Sequence, residues 1–313
     1  MNSVYIEITN ACNLQCSFCP CGAQNRDAST GATNHIANNV HRDFMSTALF
    51  EKCIDGAQEV GASEVYFHVL GEPTLHPAFS LFIKKLEQTP LKLTLTTNGT
   101  TIIRIARHIL NSPAVRQVNF STHAFAELPM DDACGHLENV LDFCKIALAA
   151  RPDLYVNLRL WNVGDSDSCE WNIHMLERIR ETFGVDVQPG HFCSRHKSFP
   201  ITGRLYLHQD TRFEWPETSK VTELAEVADE ASPQGCISGT CRALDTHLAI
   251  LHDGQVVACC LDYSGQTAFG NISTEKLTDI LQTPAVLKMQ GDFANHQVSH
   301  PLCKNCNFRR RFK

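Results

Sequence analysis

Three cysteines, Cys12, Cys16 and Cys19, follow the first apolar stretch of the chain in the pattern CxxxCxxC. Thiolates at this spacing can each ligate one iron of a four-iron cluster, for which cysteine is the standard ligand. The fourth iron then keeps an open position, which a reactive metal centre needs and a structural one avoids. The alternative is a zinc knot with Cys21 as fourth thiolate. Pro20 stiffens the link between Cys19 and Cys21 and makes that geometry awkward.

A second set lies far along the chain: Cys241, Cys259 and the CxxC pair Cys303 and Cys306. A hairpin carrying cysteines at its two ends, joined to a distant CxxC, can close a four-thiolate site. Zinc takes four thiolates tetrahedrally and CxxC pairs are its common signature, so spacing alone fits zinc or a cluster. Cys236 is an alternative to Cys241. Cys53 and Cys144 fall on apolar helical faces and read as small core hydrophobes. Cys260 adjoins Cys259 and could give a hydrogen atom to a substrate radical, although a packing role explains it equally. None of the fifteen histidines forms HxxH or HExxH; His68, His76 and His123 lie near strand ends.

The elements that must hold these residues are legible from periodicity. The chain has 313 residues, 43% hydrophobic and 19% charged, enough for a substantial core. Its net charge of −7 argues against a nucleic-acid protein, because phosphate binding needs a basic face. The basic run Arg309-Arg310-Arg311-Phe312-Lys313 reads as a solvated end. The first residues lack the charged and apolar regions of a signal peptide, and no stretch approaches 18 consecutive apolar residues. Fifteen cysteines without a leader point to metal binding or catalysis rather than disulfides, and to the cytoplasm.

Strand patterns at 4–8, 64–70, 91–96, 115–121, 154–160 and 185–188 alternate with helical stripes beginning near 49, 79, 102, 137 and 171, with Ser46 as an N-cap. Six β-then-α steps, the last incomplete, predict a parallel sheet with crossover helices and a partial, open barrel over 1–190. Residues 191–235 are polar and broken by prolines, and read as a connector that folds over the barrel as a lid. Within 236–313, strands at 246–251 and 255–260 flank the turn His252-Asp253-Gly254, and a short helix follows near 273–281.

CxxxCxxC after the first strand of a six-unit β/α series resembles the radical S-adenosylmethionine (SAM) superfamily over most of residues 1–190. The resemblance implies a partial (β/α)6 barrel and a [4Fe-4S] cluster whose open iron is chelated by SAM. It also implies cleavage of SAM to a 5′-deoxyadenosyl radical. Phe18 would lie beside the adenine. Gly71, Glu72 and Pro73 match the family's GGEP loop, with Leu70 in place of its first glycine, and would hold the methionyl ammonium. A carboxylate there suits a cation brought to a partly desolvated site. Asn98 and Ser121 resemble positions that touch the methionyl or ribose groups, although Asn98-Gly99 is also a turn signal. Arg159 is a candidate for the SAM carboxylate, or for an interior ion pair.

Cys241, Gly254 and Cys259 in the pattern C-x12-G-x4-C, then Asp262-Tyr263-Ser264-Gly265, Gly270-Asn271-Ile272 and CxxC, resemble the Twitch form of the SPASM-type auxiliary domain. This implies a small C-terminal β-hairpin and helix domain holding a second [4Fe-4S] cluster on Cys241, Cys259, Cys303 and Cys306. The longer SPASM form has further cysteines after the CxxC, whereas seven residues follow it here. The expected function is dehydrogenation of a small alcohol or sugar, with the second cluster accepting an electron. The alternatives are a maturase of a ribosomally made peptide, an epimerase using Cys260 as hydrogen donor, and a structural zinc- or cluster-binding protein. Only eleven residues precede Cys12, which counts against a peptide-recognition domain there. The expected partners are an electron donor such as flavodoxin or ferredoxin and a small-molecule or peptide substrate, with no nucleic acid and no membrane.

Overall fold

The computed structural model describes residues 1–23, 43–187, 197–216 and 236–312. β1 (Ser3–Ile6) alternates half-buried and buried side chains, with Val4 and Ile6 turned inward. The cysteine loop then leads into α1 (Pro20–Ala23). α2 (Thr47–Glu59) is capped as expected by Ser46, whose hydroxyl accepts the Leu49 N–H at 3.2 Å, and it buries Phe50, Cys53, Ile54 and Ala57. Next come β2 (Glu64–Tyr66), α3 (Phe79–Leu86), β3 (Lys92–Thr97), α4 (Ile102–Leu110), β4 (Val115–Phe120), α5 (Met130–Ala150), β5 (Tyr155–Leu160) and α6 (Cys169–Phe183). β6 (Ser198–Thr202) and β7 (Leu205–Gln209) form a hairpin. β8 (Ile237–Ser238), β9 (His247–Ile250), β10 (Gln255–Val257), β11 (Gly270–Asn271), α7 (Leu277–Ile280), α8 (Pro284–Ala294), β12 (Gln297–Val298) and α9 (Pro301–Lys304) complete the chain.

The chain divides into two compact units. One comprises Met1–Cys12, Phe18–Gly71 and Phe213–Lys313. In it β1 pairs parallel with β2 on one side (Val4 opposite Val65) and parallel with β9 on the other (Ser3 opposite His247, Ile6 opposite Ile250). β10 and β11 extend this sheet antiparallel beyond β9, and β12 pairs with β8. The other unit comprises Asn13–Ser17 and Glu72–Arg212. There β3, β4, β5 and β7 run parallel in that order and β6 closes the edge antiparallel to β7. Leu93, Leu95, Val118, Phe120, Leu158 and Leu207 are fully buried within it.

The mixed α/β class with parallel strands is the one expected from the sequence, but three elements differ. No strand forms over residues 185–187, and Gln188 lies outside the described residues. The further parallel strand is β7, inside the segment read as a connector, because its Leu205 and Leu207 reach the core beside β5. Of the lid expected at 191–235, residues 191–196 and 217–235 lie outside the described residues, and the β6–β7 hairpin is sheet rather than lid. α8 was not anticipated, although Val286, Met289 and Phe293 give it a buried stripe at helical spacing. Among the described residues no helix is long and apolar enough to cross a membrane.

Candidate functional site

The cysteine loop is anchored in each unit separately. In the first unit its entry is fixed by Gly71, which has φ +72°. A Cβ on Gly71 would lie 2.2 Å from the Thr9 carbonyl oxygen and 3.0 Å from that of Ala11, so only glycine lets this peptide lie against the backbone leading into Cys12. Cys12 and Cys19 are half-buried free thiols, as is Cys16. Cys21 is buried, donates to the Asn10 carbonyl at 3.2 Å, and is pushed far up by its hydrogen bond to Cys19, then by burial and by the Cys19 charge.

In the second unit the loop interior is held by two groups that the sequence reading did not single out. Asn13 accepts from Asn98 Nδ2 at 2.9 Å and donates to Thr100 Oγ1 at 2.8 Å. Ser17 gives both its N–H (2.5 Å) and its hydroxyl (2.7 Å) to the Glu127 carboxylate, and Arg212 lies against Glu127 and Asp165. Asparagine at Asn13 and a carboxylate at Glu127 carry no spacing signal that would have revealed this.

Glu72 is buried and caps the short 3-10 turn Pro73–Leu75. Its Oε1 accepts from Thr74 N–H (3.1 Å), Thr74 hydroxyl (2.6 Å) and Thr97 hydroxyl (2.8 Å), and its Oε2 accepts Asn98 N–H at 2.6 Å. Burial raises its pKa, and the hydrogen bonds from Asn98, Thr74 and Thr97 oppose that rise without cancelling it. A carboxylate offers about four acceptor positions. Oε1 is filled, while Oε2 keeps capacity for one more donor. Asn98 Oδ1 is taken by the Thr100 N–H and hydroxyl, so this side chain works on the loop as well as the turn.

Ser121 is half-buried just past β4, with its N–H on the Thr97 carbonyl at 2.8 Å. The Arg159 guanidinium stands 4.7 Å from the Trp161 ring centroid. The Arg159 carbonyl oxygen accepts the Thr122 hydroxyl at 2.8 Å and lies 3.1 Å from His123 Nδ1. His123 is buried, and burial lowers it to about 4. Trp161 Nε1 donates to His208 Nδ1 at 2.8 Å. Phe18 is half-buried and Pro73 buried.

The C-terminal cysteines gather within the first unit. Cys241, Cys259, Cys303 and Cys306 are all half-buried free thiols. Burial pushes each upward, and the Cys241, Cys303 and Cys306 charges act on other members of the set in the same direction. Cys236, the alternative to Cys241, is a buried free thiol. Among the described residues no three His, Cys, Asp or Glu side chains converge on a point fit for a single ion. A four-iron cluster takes its thiolates on separate irons and asks for no such convergence. In donor chemistry both cysteine sets fit such clusters. Cys260 packs beside Val69, Ala249, Leu251 and Val257; burial pushes its thiol up to about 12, and the Tyr5 hydroxyl hydrogen-bonds its sulfur. Tyr5 stacks on Tyr66 with ring centroids 4.5 Å apart, and His68 meets it edge-on at 5.4 Å.

One polar pair in the first unit was also not foreseen. Glu7 is buried; its Oε1 accepts the Leu70 N–H at 3.0 Å and its Oε2 lies 2.7 Å from His252 Nδ1. His252 Nε2 reaches Asn10 Nδ2 at 3.4 Å.

Comparison with known proteins agrees with these features. A family model described as the radical SAM superfamily matches residues 6–166, about half of the chain, and one described as an iron–sulfur cluster-binding domain, SPASM, matches residues 241–307. Over 101 residues the chain is 32% identical to the tungsten-containing aldehyde ferredoxin oxidoreductase cofactor-modifying protein of Pyrococcus furiosus. That match spans 32% of this chain and 24% of the relative. In fold it is similar to Streptococcus suis SuiB bound to S-adenosylmethionine, with TM-score 0.58 and 17% identity over 93% of this chain and 68% of that one. It is likewise similar to anSMEcpe with bound AdoMet, with TM-score 0.54 and 13% identity over 91% of this chain and 78% of that one.

Proposed function

The chain belongs to the radical SAM superfamily and carries a C-terminal iron–sulfur cluster-binding domain, and from that premise we propose that it is a dehydrogenase of a small alcohol or sugar. When bound, the SAM cluster supplies a one-electron cleavage of SAM whose 5′-deoxyadenosyl radical takes hydrogen from an unactivated C–H. The residues around it position the reactants. Gly71 brings backbone against the entry to Cys12, and the acceptor position left on Glu72 Oε2 beside the Asn98 N–H would receive the methionyl ammonium. Asn98 and Glu127 fix the loop between Cys12 and Cys19 through Asn13 and Ser17. By the family resemblance Phe18 would lie beside the adenine, Pro73 would belong with Gly71 and Glu72 to the loop that holds the methionyl ammonium, Asn98 and Ser121 would touch the methionyl or ribose groups, and Arg159 would meet the SAM carboxylate.

Hydrogen abstraction at a carbinol carbon leaves one further electron to remove. Cys241, Cys259, Cys303 and Cys306 would hold a cluster able to accept that electron, the hydroxyl proton would pass to water, and the product would be a carbonyl. The match of an iron–sulfur cluster-binding domain to residues 241–307, which contain these four thiols, supports this reading. Cys260, held as a thiol, is the residue that would serve the competing epimerisation, which needs a hydrogen donor instead of an acceptor. A flavodoxin or ferredoxin in the cytoplasm would deliver the first electron.

Turnover in deuterated water separates the two outcomes. Dehydrogenation leaves the carbon without deuterium and Cys260→Ala keeps most activity. Deuterium at one carbon, lost in Cys260→Ala, would make the enzyme an epimerase. A second reading is modification of a peptide or of a cofactor, the latter supported by the sequence match to the Pyrococcus furiosus cofactor-modifying protein. Product formed on a polypeptide and on no alcohol would favour it.

A further inference from the structure

Arg309 follows the Cys303–Cys306 pair and is half-buried, whereas Arg310 and Arg311 are exposed. Its Nε donates to the Cys303 carbonyl at 3.0 Å and its Nη1 to the Ser238 carbonyl at 3.4 Å. Its backbone N–H donates to the Cys306 sulfur. Its positive charge is felt by Cys241, Cys303 and Cys306, three of the four thiols in the group. The backbone opposite is shaped to admit it. Gly239 has φ +150°, and a Cβ there would lie 2.3 Å from Arg309 Nη1. The basic C-terminal run therefore contains one residue that is not a solvated end.

A charge of opposite sign acts on the same group. Asp262 is fully buried; its carboxylate accepts the N–H of Gln266 (2.8 Å), the N–H of Thr267 (2.6 Å) and the Thr267 hydroxyl (2.6 Å), and its charge acts on Cys303 against that of Arg309.

We propose that Arg309 sets the reduction potential of the C-terminal cluster, raising it so that the cluster can take the electron removed from substrate. The proposal rests on the reading of Cys241, Cys259, Cys303 and Cys306 as cluster ligands. Reduction adds one negative charge to the cluster, and net charge and hydrogen bonding near the sulfurs are what tune such potentials. A fixed cation in partly desolvated surroundings stabilises the reduced form more than the oxidised one. Arginine suits this task because it stays protonated and because its planar fork holds two carbonyls at once. The Cys303 and Ser238 carbonyls lock the charge in place instead of neutralising it.

The test is an anaerobic potentiometric titration of the reconstituted holoenzyme, followed by electron paramagnetic resonance, in Arg309→Gln, Arg309→Lys and Gly239→Ala. At a fixed ambient potential, Arg309→Gln should shift the oxidised-to-reduced ratio of the C-terminal cluster about tenfold towards oxidised, or about 59 mV for one electron. Arg309→Lys should recover part of that shift. Gly239→Ala displaces the guanidinium without removing it, and should move the potential in the same direction with iron content unchanged. An unchanged potential in Arg309→Gln and Gly239→Ala, at full iron content, would overturn the proposal. About four irons instead of eight in the wild-type holoenzyme would overturn the underlying cluster reading, and the proposal with it.

Discussion

His252 Nδ1 lies 2.7 Å from Glu7 Oε2, and through that contact a residue of the C-terminal segment supports the backbone just before Gly71, since Glu7 Oε1 also holds the Leu70 N–H. Burial opposes a charge on His252, but the Glu7 hydrogen bond and charge, with Asp253 and Asp43, outweigh it and raise the imidazole pKa. The folded state therefore binds the proton more tightly than the unfolded chain. The stability gained is complete below the imidazole's unfolded pKa and is lost as pH rises through the folded value. His252→Gln should flatten this alkaline loss in denaturation curves. His252→Ala leaves Glu7 buried without its cationic partner and should cost about 3 kcal/mol. A variant as stable as wild type at neutral pH would show that the pair contributes nothing.

His123 should produce the opposite slope. Burial foremost, then the Arg159 and Arg212 charges, hold it at about 4, against the hydrogen bond to the Arg159 carbonyl, which favours the proton. Between that value and the ordinary one near 6.5 the unfolded chain binds more protons, so stability falls on acidification through this window. The full loss is about 3 kcal/mol. His123→Asn keeps a donor for the Arg159 carbonyl and should unfold with a shallower dependence on pH between about 6.5 and 4. Equal slopes in the two proteins would mean that His123 titrates normally.

Glu72 should matter for SAM and not for iron. Losing a charge-assisted hydrogen bond to the methionyl ammonium costs about 1.5–3 kcal/mol, roughly ten- to a hundred-fold in affinity. Glu72→Gln keeps an acceptor oxygen for Thr74 and Thr97, so it should retain more of the local turn than Glu72→Ala while still losing the charge. Equilibrium binding of SAM to both variants, at wild-type iron content, measures this. An unchanged dissociation constant in Glu72→Ala would remove the residue from the SAM site.

Metal content tests the two cysteine sets separately. Reconstituted protein should carry about eight irons, and Cys12, Cys16 and Cys19 replaced together by alanine should leave about four and abolish SAM cleavage. Stoichiometric zinc with little iron in the triple variant would mean that the C-terminal thiols hold zinc.

What the sequence disclosed and what it hid divide along a physical line. CxxxCxxC, CxxC and the Ser46 cap are local patterns, and the cap forms as read. The β7 strand was missed because Val185-Asp186-Val187 alternates as convincingly as Leu205-Tyr206-Leu207. Only packing beside β5 separates them, and local pattern carries no record of packing. Glu7 and His252 are 245 residues apart, and Ser17 and Glu127 are 110 apart, so neither pair leaves a spacing signal. Glu72 stands out in the sequence as a candidate. Its hydrogen bonds to Thr97 and Asn98, across the turn to β3, do not.

The parallel pairing of β1 with β9 orders events on the ribosome. β1 is synthesised before both of its neighbours, and β2 follows soon enough to cover one side. Its other side waits for residues 247–250, roughly tens of seconds later at ordinary elongation rates. Through that interval a row of N–H and C=O groups next to the future Cys12 loop stands open to any passing strand. The iron-binding loop that follows β1 gains its finished support only once residues 247–250 have been made.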